Sequence, residues 1–106
     1  MKLQLHTISR DKKSYNATAI YDDGKTTVII GSKIKMDRSE FFKPASIIMT
    51  LLEDKSIVAD DGTLQKDVEF DSLSSAATFV TGIVANGNRV WKTADGKSVG
   101  VTLKGN

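Results

Sequence analysis

The chain predicts an α+β domain, an antiparallel sheet built from hairpins with two helices packed on it. Three observations carry that expectation. Asp-Gly pairs at 23–24, 61–62 and 95–96 sit between runs rich in β-branched residues, and both residues of such a pair tolerate the positive φ of a hairpin turn. Two segments, 47–52 and 76–84, switch to helical apolar spacing. The connections are of hairpin length, which favours antiparallel neighbours over βαβ units.

Each element follows in order. Residues 2–9 predict a strand with Leu3 and Leu5 on one face. Tyr15, Ala17, Ala19 and Tyr21 alternate with Asn16, Thr18 and Ile20, the period of a strand. Asp22-Asp23-Gly24-Lys25 turns it, and residues 26–30 return. Val28, Ile30, Ile34 and Met36 keep one parity through Gly31-Ser32, which fits one bent strand or two short ones. Pro44 suits the first turn of a helix, and Ile47, Ile48, Leu51 and Leu52 supply its apolar stripe, with an end near Asp54 or Lys55. Ile57 and Val58 begin a short strand, Asp60-Asp61-Gly62 turns it, and Leu64, Val68 and Phe70 return. Ser72 is the expected N-cap of the second helix, its hydroxyl accepting from the N–H of Ser74 or Ser75. Ala76, Ala77, Val80, Ile83 and Val84 form that helix's apolar side, and Asn86-Gly87 is read as its stop. Val90-Trp91, a turn at Ala94-Asp95-Gly96, and Val99, Val101 and Leu103 read as a closing hairpin.

With 106 residues and one proline, the chain fits a single domain over 1–106. It has no cysteine, which removes disulfides, thiolate metal sites and a cysteine nucleophile. The opening MKLQLHTISR alternates apolar and polar residues and is not read as a signal peptide. No window approaches the roughly 18 apolar residues of a membrane span, so a soluble, cytoplasmic protein without a membrane partner is expected. The net charge is only +2, but residues 1–43 carry +4, residues 44–74 carry −5 and residues 75–106 carry +3. Two basic ends around an acidic middle can build a basic face for phosphate, or simply scatter solvated charge. His6 is the only histidine, so no histidine metal cluster or catalytic pair forms within one chain. Asp60 and Asp61 lie in a turn whose chemistry already explains them. No phosphate-cradling glycine loop, HExxH or G-x-S-x-G occurs. No catalytic residue, metal or cofactor is therefore assigned, and the chain is not read as an enzyme.

Residues 70–97 carry the most distinctive motif. Phe70-Asp71-Ser72-Leu73-Ser74-Ser75-Ala76-Ala77 opens the second helix, and Gly82 and Ala85-Asn86-Gly87 follow. Trp91, Lys92, Asp95, Gly96 and Lys97 close the run. Upstream, residues 28–35 read VIIGSKIK. In this order and spacing the chain, from about 15 to 99, resembles a small accessory domain without an assigned function found at the C-terminus of some GIY-YIG nucleases. That domain is similar to the restriction-enzyme-adenine-methylase-associated (RAMA) domain of DNA-modification systems. Two positions depart from the pattern: Asn88 stands where the family usually has a tryptophan, and Leu73 replaces a helix-opening proline.

The resemblance implies a noncatalytic DNA-binding module of restriction–modification or nuclease systems, one that reads modified bases. Double-stranded DNA is then the expected partner, with a nuclease or methylase protein beside it. A DNA reader needs cations for phosphates plus donors and a flat apolar surface near bases. Arg89, Lys92 and Lys97 beside Trp91, Asn86 and Asn88 supply those types. Ser72, Ser74 and Ser75 add N–H groups at a helix start. Each also has a structural reading: Trp91 as core, Asn86 as a helix-end residue, the serines as caps. The alternative function is a protein-interaction or assembly module docking on a nuclease, a methylase or itself. A third, a small enzyme, requires Asp60, Asp61 and Asp71 to meet in one concave pocket.

Overall fold

Alternate residues of a strand face opposite sides of a sheet, and the apolar alternation builds four strands here. The computed structural model describes residues 2–36, 46–83 and 85–100, apart from the side chains of residues 46 and 47. Pro44, Val84, Val101 and Leu103, assigned above to elements, lie outside the described residues, as does the side chain of Ile47. Strands β1 (Lys2–Ile8), β2 (Asn16–Asp22), β3 (Lys25–Val28) and β4 (Val68–Phe70) form one antiparallel sheet in the order β1-β2-β3-β4. With the short helices that the described residues add, this is the expected α+β class.

Register aligns the apolar set in rows. Leu5, Ala19, Val28 and Val68 are successive cross-strand partners, and so are Leu3, Tyr21, Thr26 and Phe70. Asp23 and Gly24 make the two-residue β2–β3 turn with φ of 51° and 80°, the left-handed pair that matches strand twist. β3 ends at Val28, so the parity expected to run on through Ile30 breaks there. Ile30 is 60% exposed, and its N–H is taken by the Asp67 carboxylate at 2.7 Å. Ile34 is buried again in a short segment where Lys33 bridges both Asn16 and Thr63. The second hairpin also divides. Val58 pairs with Leu64, whereas β4 leaves that partner and joins β3.

Helices α1 (Ser46–Glu53), α2 (Leu73–Thr81) and α3 (Gly87–Val90) replace the two expected. α2 packs on β3 and β4 and meets α1 and α3. Ala76 and Ala77 are fully buried, and their small side chains bring the helix axis close to the sheet. The Phe79 ring lies 5.1 Å from that of Phe70, tilted by 45°, an arrangement that favours aromatic pairs. Ser72 caps α2 as expected, accepting from the Ser75 N–H at 3.0 Å.

The end of α2 corrects the sequence reading. The helix stops at Gly82, in the left-handed region with φ 77°, where a glycine carries no Cβ penalty. Ile83 therefore falls outside the helix and is 56% exposed. Asn86 and Gly87 do not end a helix but begin one: the Asn86 side chain caps α3 by accepting from the Asn88 N–H at 3.0 Å. A Cβ on Gly87 would stand 2.2 Å from the Leu73 carbonyl carbon, so a glycine is required where α3 crosses the start of α2. The closing hairpin is shorter than expected. Lys92 bridges Ser98 around the turn at 94–96, but Val90 belongs to α3 and Val99 is helical. Lys92 also exchanges two backbone bonds with His6, at 2.8 and 2.9 Å, so this segment lines the outer edge of β1.

Candidate nucleic-acid interface

Two regions gather the side chains that could meet a nucleic acid. The first is the corner where α2, α3 and Trp91 join. Trp91 has no exposed surface, and its indole N–H donates to the Leu73 carbonyl at 3.1 Å. Its ring is core, the structural reading of the two given above, and it offers no stacking face to a base. Burying an aromatic side chain of this size removes roughly 150–250 Å² from water, a gain that an exposed site would forfeit. Around it the polar groups are taken up locally. Ser74 Oγ accepts from the Gly87 N–H at 3.0 Å. The Ser72 and Ser75 hydroxyls meet at 3.0 Å. Lys92 Nζ donates to the Arg89 carbonyl at 3.0 Å, placing a cation where a helix end favours one.

The remaining members of the corner do not close into a site. Ser72, Ser74 and Asn88 share an open hollow of about 270 Å³, but Asp71 lines it too, and Arg89, Lys92 and Lys97 do not. Asp71 pairs with Lys25 at 2.5 Å, which holds its carboxyl below the ordinary range. A phosphate approaching the start of α2 would meet that charge. Arg89 and Lys97 are exposed. Asp60, Asp61 and Asp71 line three different hollows, and Asp60 is paired with Lys55 at 2.6 Å. Among the described residues no group of three or more His, Asp or Glu is placed to hold a metal ion, and no helix is long and apolar enough to cross a membrane.

The second region lies outside the 70–97 motif. The loop between β1 and β2 folds around Asp11, whose carboxylate accepts from Ser9 Oγ at 2.6 Å, the Lys13 N–H at 2.9 Å, and the Ser14 N–H and hydroxyl at 3.0 and 2.7 Å. These bonds, the Ser9 hydroxyl foremost, hold Asp11 well below the ordinary carboxylate range. Lys12 takes a left-handed φ of 61° to close the loop. Arg10, Lys12 and Lys13 are all exposed on it. The antiparallel bridge between Asn16 and Lys33, with bonds of 2.8 and 2.9 Å, sets Lys33 and Lys35 beside that loop. The Lys35 N–H donates to the Val80 carbonyl at 2.9 Å, which ties the segment to the end of α2.

Two hollows open at this end. One, of about 400 Å³, is lined by the charged Arg10, Asp11 and Lys35 together with Tyr15, Ile83 and Val90. The other, of about 340 Å³, is lined by Lys13, Lys33, Lys35 and Asp61. Ser14 and Lys35 line both. Among the described residues none of these cations lies within salt-bridge distance of a carboxylate, and Lys33 acts on Asp61 from farther away. Two ionised carboxylates stand among them. Asp11 lines the first hollow with its oxygens bonded within its own loop. Asp61 lines the second, bonded to the Thr63 N–H at 2.9 Å and held below the ordinary range by that bond and the Lys33 charge. The charge balance of residues 1–43 was the signal for this end, but only folding joins 10–13 to 33–35.

Comparison with curated proteins and with solved structures returned no match. A family model described as a domain of unknown function (DUF4357) matches residues 8–102. That span takes in the β1–β2 loop, Lys33, Lys35 and the whole α2–α3 corner, and the chain belongs to this family.

Proposed function

We propose that the chain is a noncatalytic nucleic-acid-binding accessory module whose phosphate contacts lie at the basic end. The observation that carries this reading is the clustering of Arg10, Lys13, Lys33 and Lys35 around two hollows, with Lys12 exposed on the same loop, so that these cations outnumber the two carboxylates there, Asp11 and Asp61. A surface of this kind attracts a polyanion and releases its counterions. The setting implied by the resemblance, beside a nuclease or in a DNA-modification system, suits such a module and supplies its DNA partner. Arg89 and Lys97 would lie outside the main contact. The test is the salt dependence of DNA affinity for Lys13→Ala, Lys33→Ala and Lys35→Ala. Each contacting lysine should reduce the slope of log K against log salt by about 0.7–0.9. Slopes unchanged in all three variants would contradict the reading.

One observation favours the alternative, an assembly module. The sheet face opposite α2 carries a second open hollow where the half-buried Ile20 and Ile29 lie among Lys2, Asp22, Lys25 and Glu69. Mixed charge around apolar residues suits a protein better than a phosphate backbone. A concentration-dependent dimer in sedimentation, persisting at high salt, would support that alternative.

A further inference from the structure

The shape of the basic end narrows which form of nucleic acid it fits. A duplex is read when a helix or a two-stranded ribbon enters a groove, and no described helix offers the needed charge and length. α1 contains no basic residue, and its one charged side chain is Glu53. α2 carries no charged residue, and Leu73, Ala76, Ala77, Thr78, Phe79, Val80 and Thr81 are buried. α3 spans four residues. Two hairpin turns are acidic at their tips, Asp22-Asp23 and Asp60-Asp61, so those ribbons would repel phosphate. The β1–β2 ribbon, with Arg10, Lys12 and Lys13 at its tip, leads to the hollow beside it.

The basic end is instead concave with an apolar interior. Tyr15, half-buried, and Val90 pack on the core, while Ile83 exposes a large apolar surface just past the end of α2. Paired and stacked bases have no use for such a surface. An unstacked base has an apolar face to bury and a charged backbone to neutralise, and it is commonly held between aromatic or apolar side chains and cations. The hollow of about 400 Å³ lies within the range of pockets that enclose small ligands, roughly 300–1,000 Å³.

We infer that this hollow takes a single unstacked nucleotide, its base against Tyr15, Ile83 and Val90 and its flanking phosphates toward Arg10 and Lys35. The preferred ligand is then single-stranded nucleic acid or a base displaced from a duplex. This inference rests on the nucleic-acid reading above and specifies the ligand form at the same site.

The experiment is fluorescence anisotropy with a labelled mixed-sequence DNA oligonucleotide and with its fully paired duplex, at one low salt concentration. Wild type should bind the single strand about tenfold more tightly, and Ile83→Ser should lose most of that preference while leaving duplex binding unchanged. Ile83 is exposed, so its replacement does not endanger folding, and Tyr15→Leu serves as the second variant because it keeps an apolar contact while removing the ring. Equal or duplex-favouring affinity that still falls in Lys35→Ala would overturn this inference and leave the proposed function standing. No binding of either form by the folded wild type would overturn both.

Discussion

The α2–α3 corner and the basic end are built from similar residue types and use them in opposite ways. In the corner, serines, asparagine and tryptophan are committed to one another: Ser72 to Ser75, Ser74 to Gly87, Asn86 to Asn88, and Trp91 to Leu73. At the basic end a single carboxylate, Asp11, organises the loop backbone, and Arg10, Lys12, Lys13 and Lys33 stay exposed. A distinctive motif thus marks where the chain spends its hydrogen bonds on folding, and a plain run of lysines marks where charge is left for a ligand.

That contrast breaks most sharply at Trp91. Trp91→Ala should destabilise the domain by about 3–5 kcal/mol, as large-to-small changes in a core do, read as a large drop in the denaturant midpoint. Lys33→Ala and Lys35→Ala should stay within about 0.5 kcal/mol of wild type. A fully stable Trp91→Ala would mean that the corner is not core. Gly87→Ala comes next, at about 1–3 kcal/mol, because the added Cβ meets the Leu73 backbone rather than a yielding side chain. Unchanged stability there would show that α3 does not sit against α2.

Much of the corner's architecture was legible from the sequence, and the errors have one cause. Strand faces, the Asp23-Gly24 turn and the Ser72 cap depend on neighbours within a few residues, so local chemistry specifies them. Gly82 and Gly87 are both able to end a helix. Which one does so depends on the approach of residue 87 to residue 73, which no local pattern contains. The same holds for the candidate site. Trp91 beside Arg89 and Lys92 resembles a reader in one dimension, but the fold turns the ring inward. Lys33 joins Lys13 only through the bridge to Asn16.

Smaller effects sharpen the comparison further. Thr26 lies in the sheet beneath α2 with no exposed surface, and its hydroxyl oxygen has no hydrogen-bond partner among the described residues. Thr26→Val keeps the shape, removes that buried polar atom, and should raise stability by about 1 kcal/mol. A destabilised variant in chemical denaturation would mean that the hydroxyl has a partner after all.

The pH dependence should follow the aspartates. Asp11, Asp54, Asp61, Asp71 and Asp95 are all held below the ordinary value of 3.8 by hydrogen bonds, joined at Asp71 by the Lys25 charge. Depressed folded-state values mean that the ionised forms favour the fold. Their contribution is present above that ordinary value and is lost as pH falls through the lower folded-state values. Thermal midpoints should therefore decline on acidification below about pH 4. Lys13 and Ser14 amides should be among the signals that follow Asp11, and a midpoint flat down to about pH 2 would contradict this.

The central claim is that nucleic acid meets the basic end and not the tryptophan corner. An amide chemical-shift titration of the labelled domain with a DNA oligonucleotide at low salt tests it most directly. The account predicts shifts at Arg10, Lys13, Tyr15, Lys33, Lys35 and Ile83, with Ser74, Asn86 and Trp91 nearly still. Shifts concentrated at Ser74, Asn86, Arg89 and Trp91, or none at high DNA concentration, would contradict it.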